Sequence, residues 1–158
     1  MSRALKFIFV FSLVSVVAFS QSKKEIKKNG IKSTTIIDIE NGKTINNKKS
    51  LFDKNGETTE ETDYNKEGNL KTTKKLKYNK DGDVAEEEDY DAKTKQTEKH
   101  IFKYSSLGEK TEEQIYDGVG KLIKTHFYTY DSKGLKIERK TVDATGKVIS
   151  LRKYSYEY

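Results

Sequence analysis

From residue 52 onward, the chain is punctuated by an aromatic or aliphatic residue with glycine four positions later. The motif reads Phe52-Asp-Lys-Asn-Gly56, Tyr64-Asn-Lys-Glu-Gly68, Tyr78-Asn-Lys-Asp-Gly82, Tyr104-Ser-Ser-Leu-Gly108, Tyr116-Asp-Gly-Val-Gly120, Tyr130-Asp-Ser-Lys-Gly134 and Val142-Asp-Ala-Thr-Gly146. Tyr90-Asp-Ala-Lys-Thr94 departs from it only in the last residue. The leading residues stand at 52, 64, 78, 90, 104, 116, 130, 142 and 156, so the spacing alternates 12 and 14. Projected backwards, the rhythm reaches 38 and 26, with Gly42 and Gly30 four residues on, and nine of the ten glycines then hold one repeat position. The chain is about five copies of a 26-residue unit.

Each punctuation mark reads as a tight hairpin. Asp, Asn or Ser opens it with a side chain that can bond its own backbone, and glycine takes the left-handed conformation, giving a type I turn with a bulge. Between turns lie segments of about eight and ten residues rich in Thr, Tyr, Ile and Val, the composition of strands. A turn this frequent leaves no room for ordinary helices. The predicted fold is all-β: an antiparallel β-hairpin repeat meander, one twisted or curled sheet of about five two-strand units. Residues 21–51 form a degenerate N-terminal repeat and residues 52–158 the regular one. The run Lys23-Lys24-Glu25-Ile26-Lys27-Lys28 is expected to be a lysine-rich edge strand or a frayed end.

With the residues that flank each turn paired, two residues face one another when their numbers sum to twice the anchor plus six. That register sets Glu60 opposite Lys74, Glu86 opposite His100, Glu112 opposite His126 and Glu138 opposite Arg152, with Glu87 beside Lys99 and Asp63 beside Lys71. All ten tyrosines have even numbers, so the same register gathers them on one face. Tyr78, Tyr104, Tyr130 and Tyr156 end the long strands, backed by Leu76, Phe102, Tyr128 and Tyr154, while Tyr64, Tyr90 and Tyr116 make a second row. One reading is a structural ladder whose rings pack on the stems of Lys110 and Lys136. The other is a sugar-stacking or partner-binding stripe, with Tyr78, Tyr104, Tyr128, Tyr130, Tyr154 and Tyr156 as ligand-binding candidates. Ile101, Ile115, Phe127 and Leu151 are assigned to the opposite, odd-numbered face.

Composition narrows the chemistry. Of 158 residues, 33% are hydrophobic, a share that falls to about 28% once the first 20 are set aside. A thick two-layer core is not expected from so little apolar material. The absence of cysteine excludes disulfides, thiolate nucleophiles and Cys-ligated zinc. Glu86/His100 and Glu112/His126 are the two pairs that acid–base or metal chemistry could use, but Lys74 and Arg152 fill the same column in other repeats, which favours a structural role. No catalytic triad or phosphate-binding glycine loop is present, so no enzyme, metal or cofactor is expected.

Residues 1–20 have a basic start at Arg3 and Lys6, an apolar run over residues 7–19 and small residues at Ala18 and Ser20. This is the pattern of a secretory signal peptide cleaved near Ser20-Gln21, and it predicts export to the periplasm, outer surface or medium. Nothing later in the chain reads as a membrane span. The formal charge of +6 is a small excess of 31 basic over 25 acidic residues, which with export argues against nucleic acid.

Residues 116–135, with Tyr116-Asp117-Gly118-Val119-Gly120-Lys121-Leu122 and Tyr128-Thr129-Tyr130-Asp131-Ser132-Lys133-Gly134-Leu135, resemble the YD repeat of the rearrangement-hotspot and teneurin type. A weaker similarity is to variant MORN repeats. The YD resemblance implies a secreted or surface β-repeat scaffold of the carbohydrate-binding or shell-forming kind. The 12/14 alternation departs from that family, and five units are too few to close a shell. The function expected is thus a non-catalytic binding or structural module that meets a cell-surface glycan or envelope protein through tyrosines. The alternative is a protein–protein role, such as toxin immunity or assembly.

Overall fold

The computed structural model describes residues 22–157, so the signal-peptide reading of residues 1–20 lies outside the described residues. Ten antiparallel strands form one open sheet in strict sequence order. They are β1 (Ser33–Glu40), β2 (Lys43–Phe52), β3 (Thr58–Tyr64), β4 (Leu70–Tyr78), β5 (Val84–Asp91), β6 (Gln96–Tyr104), β7 (Lys110–Asp117), β8 (Leu122–Tyr130), β9 (Lys136–Asp143) and β10 (Val148–Lys153). This is the all-β meander that the glycine rhythm predicts.

The turns have the predicted chemistry. Gly68 N–H donates to the Asn65 carbonyl at 2.9 Å and Asn65 N–H to the Asn69 carbonyl at 2.9 Å, with Gly68 at φ 81°. Asn65 Oδ1 also accepts from the N–H groups of Glu67 and Asn69. Asp53, Asn79, Ser105, Asp117, Asp131 and Asp143 make the equivalent side-chain bonds in their own turns. Each opening side chain therefore holds two backbone donors that the turn would otherwise leave unpaired.

Beside the turns the predicted register holds: Tyr64 faces Leu70, Tyr78 faces Val84 and Tyr116 faces Leu122. One residue further on, the strand leaving the turn carries a second bulge, at Thr59, Lys71, Ala85, Thr111, Ile123, Ile137 or Ile149, and the register advances by one. Glu60 then faces Lys75 rather than Lys74, and Glu86 faces Ile101 rather than His100. Glu112 faces Phe127 rather than His126, and Glu138 faces Lys153 rather than Arg152. Glu87 and Asp63 likewise face His100 and Thr72. The hairpin without glycine reaches the same offset differently: Asp91 pairs directly with Gln96, and Lys95 takes the positive φ of 56°. A bulge adds one unpaired residue, and side chains alternate across a strand, so each hairpin from β2 onward exchanges odd for even, whereas β1 and β2 pair odd with odd, as Ser33 with Leu51.

The tyrosines consequently divide between two faces. The first face carries Tyr64, Tyr90 and Tyr116 with their partners Thr73, Thr97 and Lys99. The second carries the long-strand tyrosines, with Lys74, His100 and His126 further along the same strands. Ile115 joins the second face as the partner of His100, whereas Ile101, Phe127 and Leu151 belong to the first. The expectation of a single tyrosine face fails because it leaves out the second bulge.

Residues 23–29 are neither a strand nor frayed. They form helix α1 (Lys23–Asn29), opened by a Ser22/Glu25 capping box and closed by Gly30 at φ 62°. Ile26 is buried, and Lys23 makes an ion pair with Glu57 beside the β2–β3 turn. The β1–β2 hairpin closes on Asn41 and Gly42, both at positive φ, as in a two-residue turn with two left-handed residues.

Among the described residues, the only buried apolar side chains are Ile26 and Ile115, while Ser50, Thr62, Thr125 and Thr141 are buried polar groups. The sheet is thin, and its cohesion comes from the backbone ladder and cross-strand contacts. No described helix is long and apolar enough to cross a membrane.

Candidate functional site

On the second face, the tyrosines that end β4, β6 and β8 share one tether with Tyr156, three residues beyond the end of β10. The hydroxyls of Tyr78, Tyr104, Tyr130 and Tyr156 donate to the carbonyls of Thr58, Val84, Lys110 and Lys136 at 2.8, 2.8, 2.8 and 2.7 Å. Each acceptor stands 20 residues earlier, immediately before a bulged residue of the preceding short strand. The bulge disturbs the ladder at that point, and the next long strand supplies a phenol to bond the carbonyl. Burial pushes the phenols of Tyr78, Tyr104 and Tyr130 up.

Behind this row stand Phe102, Tyr128 and Tyr154, covered by lysines from the short strands. Lys110 Nζ lies 4.7 Å from the Phe102 ring centre and 5.1 Å from that of Tyr128. Lys136 Nζ lies 4.8 Å from Tyr128 and 5.9 Å from Tyr154. These are cation–π distances, and they place Lys110 and Lys136 against the rings as the sequence suggests.

At the centre of the face sits Glu113, which the sequence analysis did not single out. Its carboxylate accepts from His100 Nδ1 at 2.9 Å, Lys110 Nζ at 3.0 Å and the Tyr128 hydroxyl at 2.5 Å. The His100 bond, followed by those of Tyr128 and Lys110, holds Glu113 well below the usual carboxylate range. Burial and the Glu113 bond push the Tyr128 phenol up. His100 Nε2 meets Glu98 at 2.8 Å, so both ring nitrogens face carboxylates, and the Glu113 bond, with that of Glu98, pushes the imidazole pKa up. His126 faces Glu113 across the ladder but bonds Thr141 Oγ1 at 2.8 Å, and burial draws its pKa down. Glu86 lies on the first face with Lys77 and Lys99, and Glu112 with Lys103, so neither reaches a histidine. Glu113 comes three residues after Lys110, and only the bulge between them, which no residue type announces, brings both to one face.

The six candidate tyrosines thus converge on one face, four tethered to carbonyls, Tyr128 to Glu113, and Tyr154 under Lys136. No three or more His, Cys, Asp or Glu among the described residues are arranged to hold a metal. Ion pairs run along the sheet from Lys23 to Glu113. Towards the C-terminal edge, Lys136, Arg139 and Arg152 share the second face and make no ion pair among the described residues. Arg139 Nε is buried there without a hydrogen-bond partner.

No family model and no curated protein matches the sequence. Among solved structures, a Bacteroides fragilis protein of unknown function aligns with 80% of this chain and 92% of its own, at 16% identity and a TM-score of 0.38. A chain of the Photorhabdus luminescens Tc holotoxin pore aligns with 75% of this chain at 9% identity and a TM-score of 0.24, and the match spans 9% of that toxin chain.

Proposed function

We propose that this chain is an exported, non-catalytic β-repeat module that binds an acidic glycan of the cell envelope through the C-terminal end of its second face. The observation that carries this reading is the juxtaposition of Lys136, Arg139 and Arg152, without ion pairs among the described residues, with Tyr128, Tyr130, Tyr154 and Tyr156. Nearer the middle of the same face, Lys74 is matched by Glu87 and Asp89. Tethered rings offer flat apolar surface with little conformational freedom left to lose, and guanidinium groups bind carboxylate or sulfate in a planar fork. Sugar rings that carry acidic groups present both complements. The pattern of residues 1–20 supports export. A non-catalytic role is favoured by Glu113, whose carboxylate is already occupied by three donors.

Binding to heparin and polygalacturonate, with neutral dextran as control, tests the proposal. Retention of both acidic polymers but not dextran, weakened at least tenfold by Arg139→Ala with Arg152→Ala and by Tyr154→Ala with Tyr156→Ala in folded protein, is the expected result. Equal affinity across these variants would leave the tyrosine face a structural ladder.

A further inference from the structure

We propose that the two edges of the sheet are complementary and that β10 of one copy pairs with β1 of the next, extending the sheet head to tail. The most exposed aliphatic side chains within strands concentrate at these edges: Ile36, Ile37 and Ile39 are 48, 52 and 67% exposed on β1, and Val148, Ile149 and Leu151 are 54, 56 and 53% exposed on β10. By repeat position β1 is a short strand and β10 a long one, and inside the sheet every long strand lies between two short ones. Pairing β10 with β1 of a second copy continues that alternation in the described sheet. Because the sheet has ten strands, an even number, the new pair is antiparallel with neither copy inverted, and each face runs on into the same face of the next.

The chemistry agrees on both faces. On the first face, Leu151 of β10 would lie beside Ile37 and Ile39 of β1. On the second face, Arg152 would lie beside Asp38 and Glu40. Like-with-like pairing is disfavoured, since two antiparallel β10 strands would set Arg152 near Arg152 of the other copy, and two β1 strands Asp38 and Glu40 near their own copies. Helix α1 packs at the β2–β3 turn, against Gly56 and Glu57, rather than along the outer edge of β1. A contact between two different edges does not close on itself at a dimer, so it generates open-ended assemblies.

The experiment is sedimentation velocity of the purified whole chain over a concentration series, with two edge variants. Ile37→Lys with Ile39→Lys blocks β1, and Leu151→Lys with Arg152→Glu blocks β10. The native protein is expected to give a series of oligomers that lengthens with concentration, each variant alone a monomer, and their 1:1 mixture a dimer and nothing larger, because one intact β10 meets one intact β1. If circular dichroism shows that a lysine pair melts the sheet, Ile39→Thr and Leu151→Thr replace them and should shorten the native series. A native protein that is monomeric at its solubility limit, with or without a different chain bound, overturns the proposal. So does a variant that dimerises with itself, or a mixture that stays monomeric while the native protein assembles.

Discussion

The Tyr130 hydroxyl donates to the Lys110 carbonyl at 2.8 Å, joining the end of one long strand to the start of the preceding short strand. Its removal should be felt as an unbonded carbonyl rather than as lost ring packing. Tyr130→Phe keeps the ring and is expected to lower stability by about 1 kcal/mol, and Tyr104→Phe by a similar amount through the Val84 carbonyl. Tyr116→Phe is the comparison, because that hydroxyl bonds only the Gln114 side chain. Urea unfolding of the three variants should give a smaller loss for Tyr116→Phe.

The two histidines should titrate on opposite sides of their ordinary value of 6.5. Glu113 and Glu98 push His100 up, and burial draws His126 down. Imidazole NMR titration reads both directly. By linkage, a raised His100 contributes stability that is complete below 6.5 and is lost as pH rises through its folded value. His100→Gln should therefore cost more at about pH 5.5 than at about pH 9.5. The depressed Glu113 contributes stability above 4.5 that is lost as pH falls through its folded value, so Glu113→Gln should cost least in strong acid. The depressed His126 has the opposite sign to His100, and His126→Gln should ease the loss of stability on acidification below 6.5.

The bulged register is open to a double-mutant cycle. Glu112 pairs with Lys103 at 3.0 Å on the first face, while His126 is on the second. The cycle for Glu112→Gln and Lys103→Gln should give a coupling of about 0.2–1 kcal/mol, the range of exposed ion pairs. The cycle for Glu112→Gln and His126→Gln should give none. Coupling to His126 instead would restore the register without the second bulge.

Gly56 differs from the other turn glycines in what stands over it. A Cβ built there would lie 2.5 Å from the Lys23 carbonyl oxygen, whereas one at Gly68 would meet nothing within 4 Å. Both have φ near 80°, so both alanine variants carry backbone strain of about 1 kcal/mol. Gly56→Ala must also displace α1. It should cost more in urea unfolding than Gly68→Ala, and it alone should increase hydrogen exchange at Ile26.

The hairpins and their count were legible because glycine and Asx residues impose backbone geometry locally. The turn at Asn65 depends on nothing beyond a few neighbouring residues. The second bulge was hidden, since Thr59, Ala85, Thr111 and Ile137 share no residue type that requires it. Its counterpart lies on another strand, in the tyrosine 20 residues after the carbonyl. Without the bulge, odd and even are exchanged on β3, β5, β7 and β9, so the bulge-free register sets His100 against Glu86 when its carboxylates are Glu98 and Glu113. Helix α1 was legible in principle, as Ser22 and Glu25 form a capping box and Gly30 a stop, but a lysine-rich run fits an edge strand or a frayed end equally well.

Because each regular hairpin shifts the pairing once, residues 26 apart keep the same face while equivalent residues of neighbouring short and long strands do not, as Tyr64 and Tyr90 share a face that Tyr78 does not. Two shifts cancel. A gene duplication or deletion of the full two-strand unit would thus leave every remaining side chain on its own side, whereas loss of a single strand with its turn would turn the rest of the protein inside out. The unit that folding can exchange without penalty is the pair, and lineages of this chain should differ in length by multiples of 26 residues.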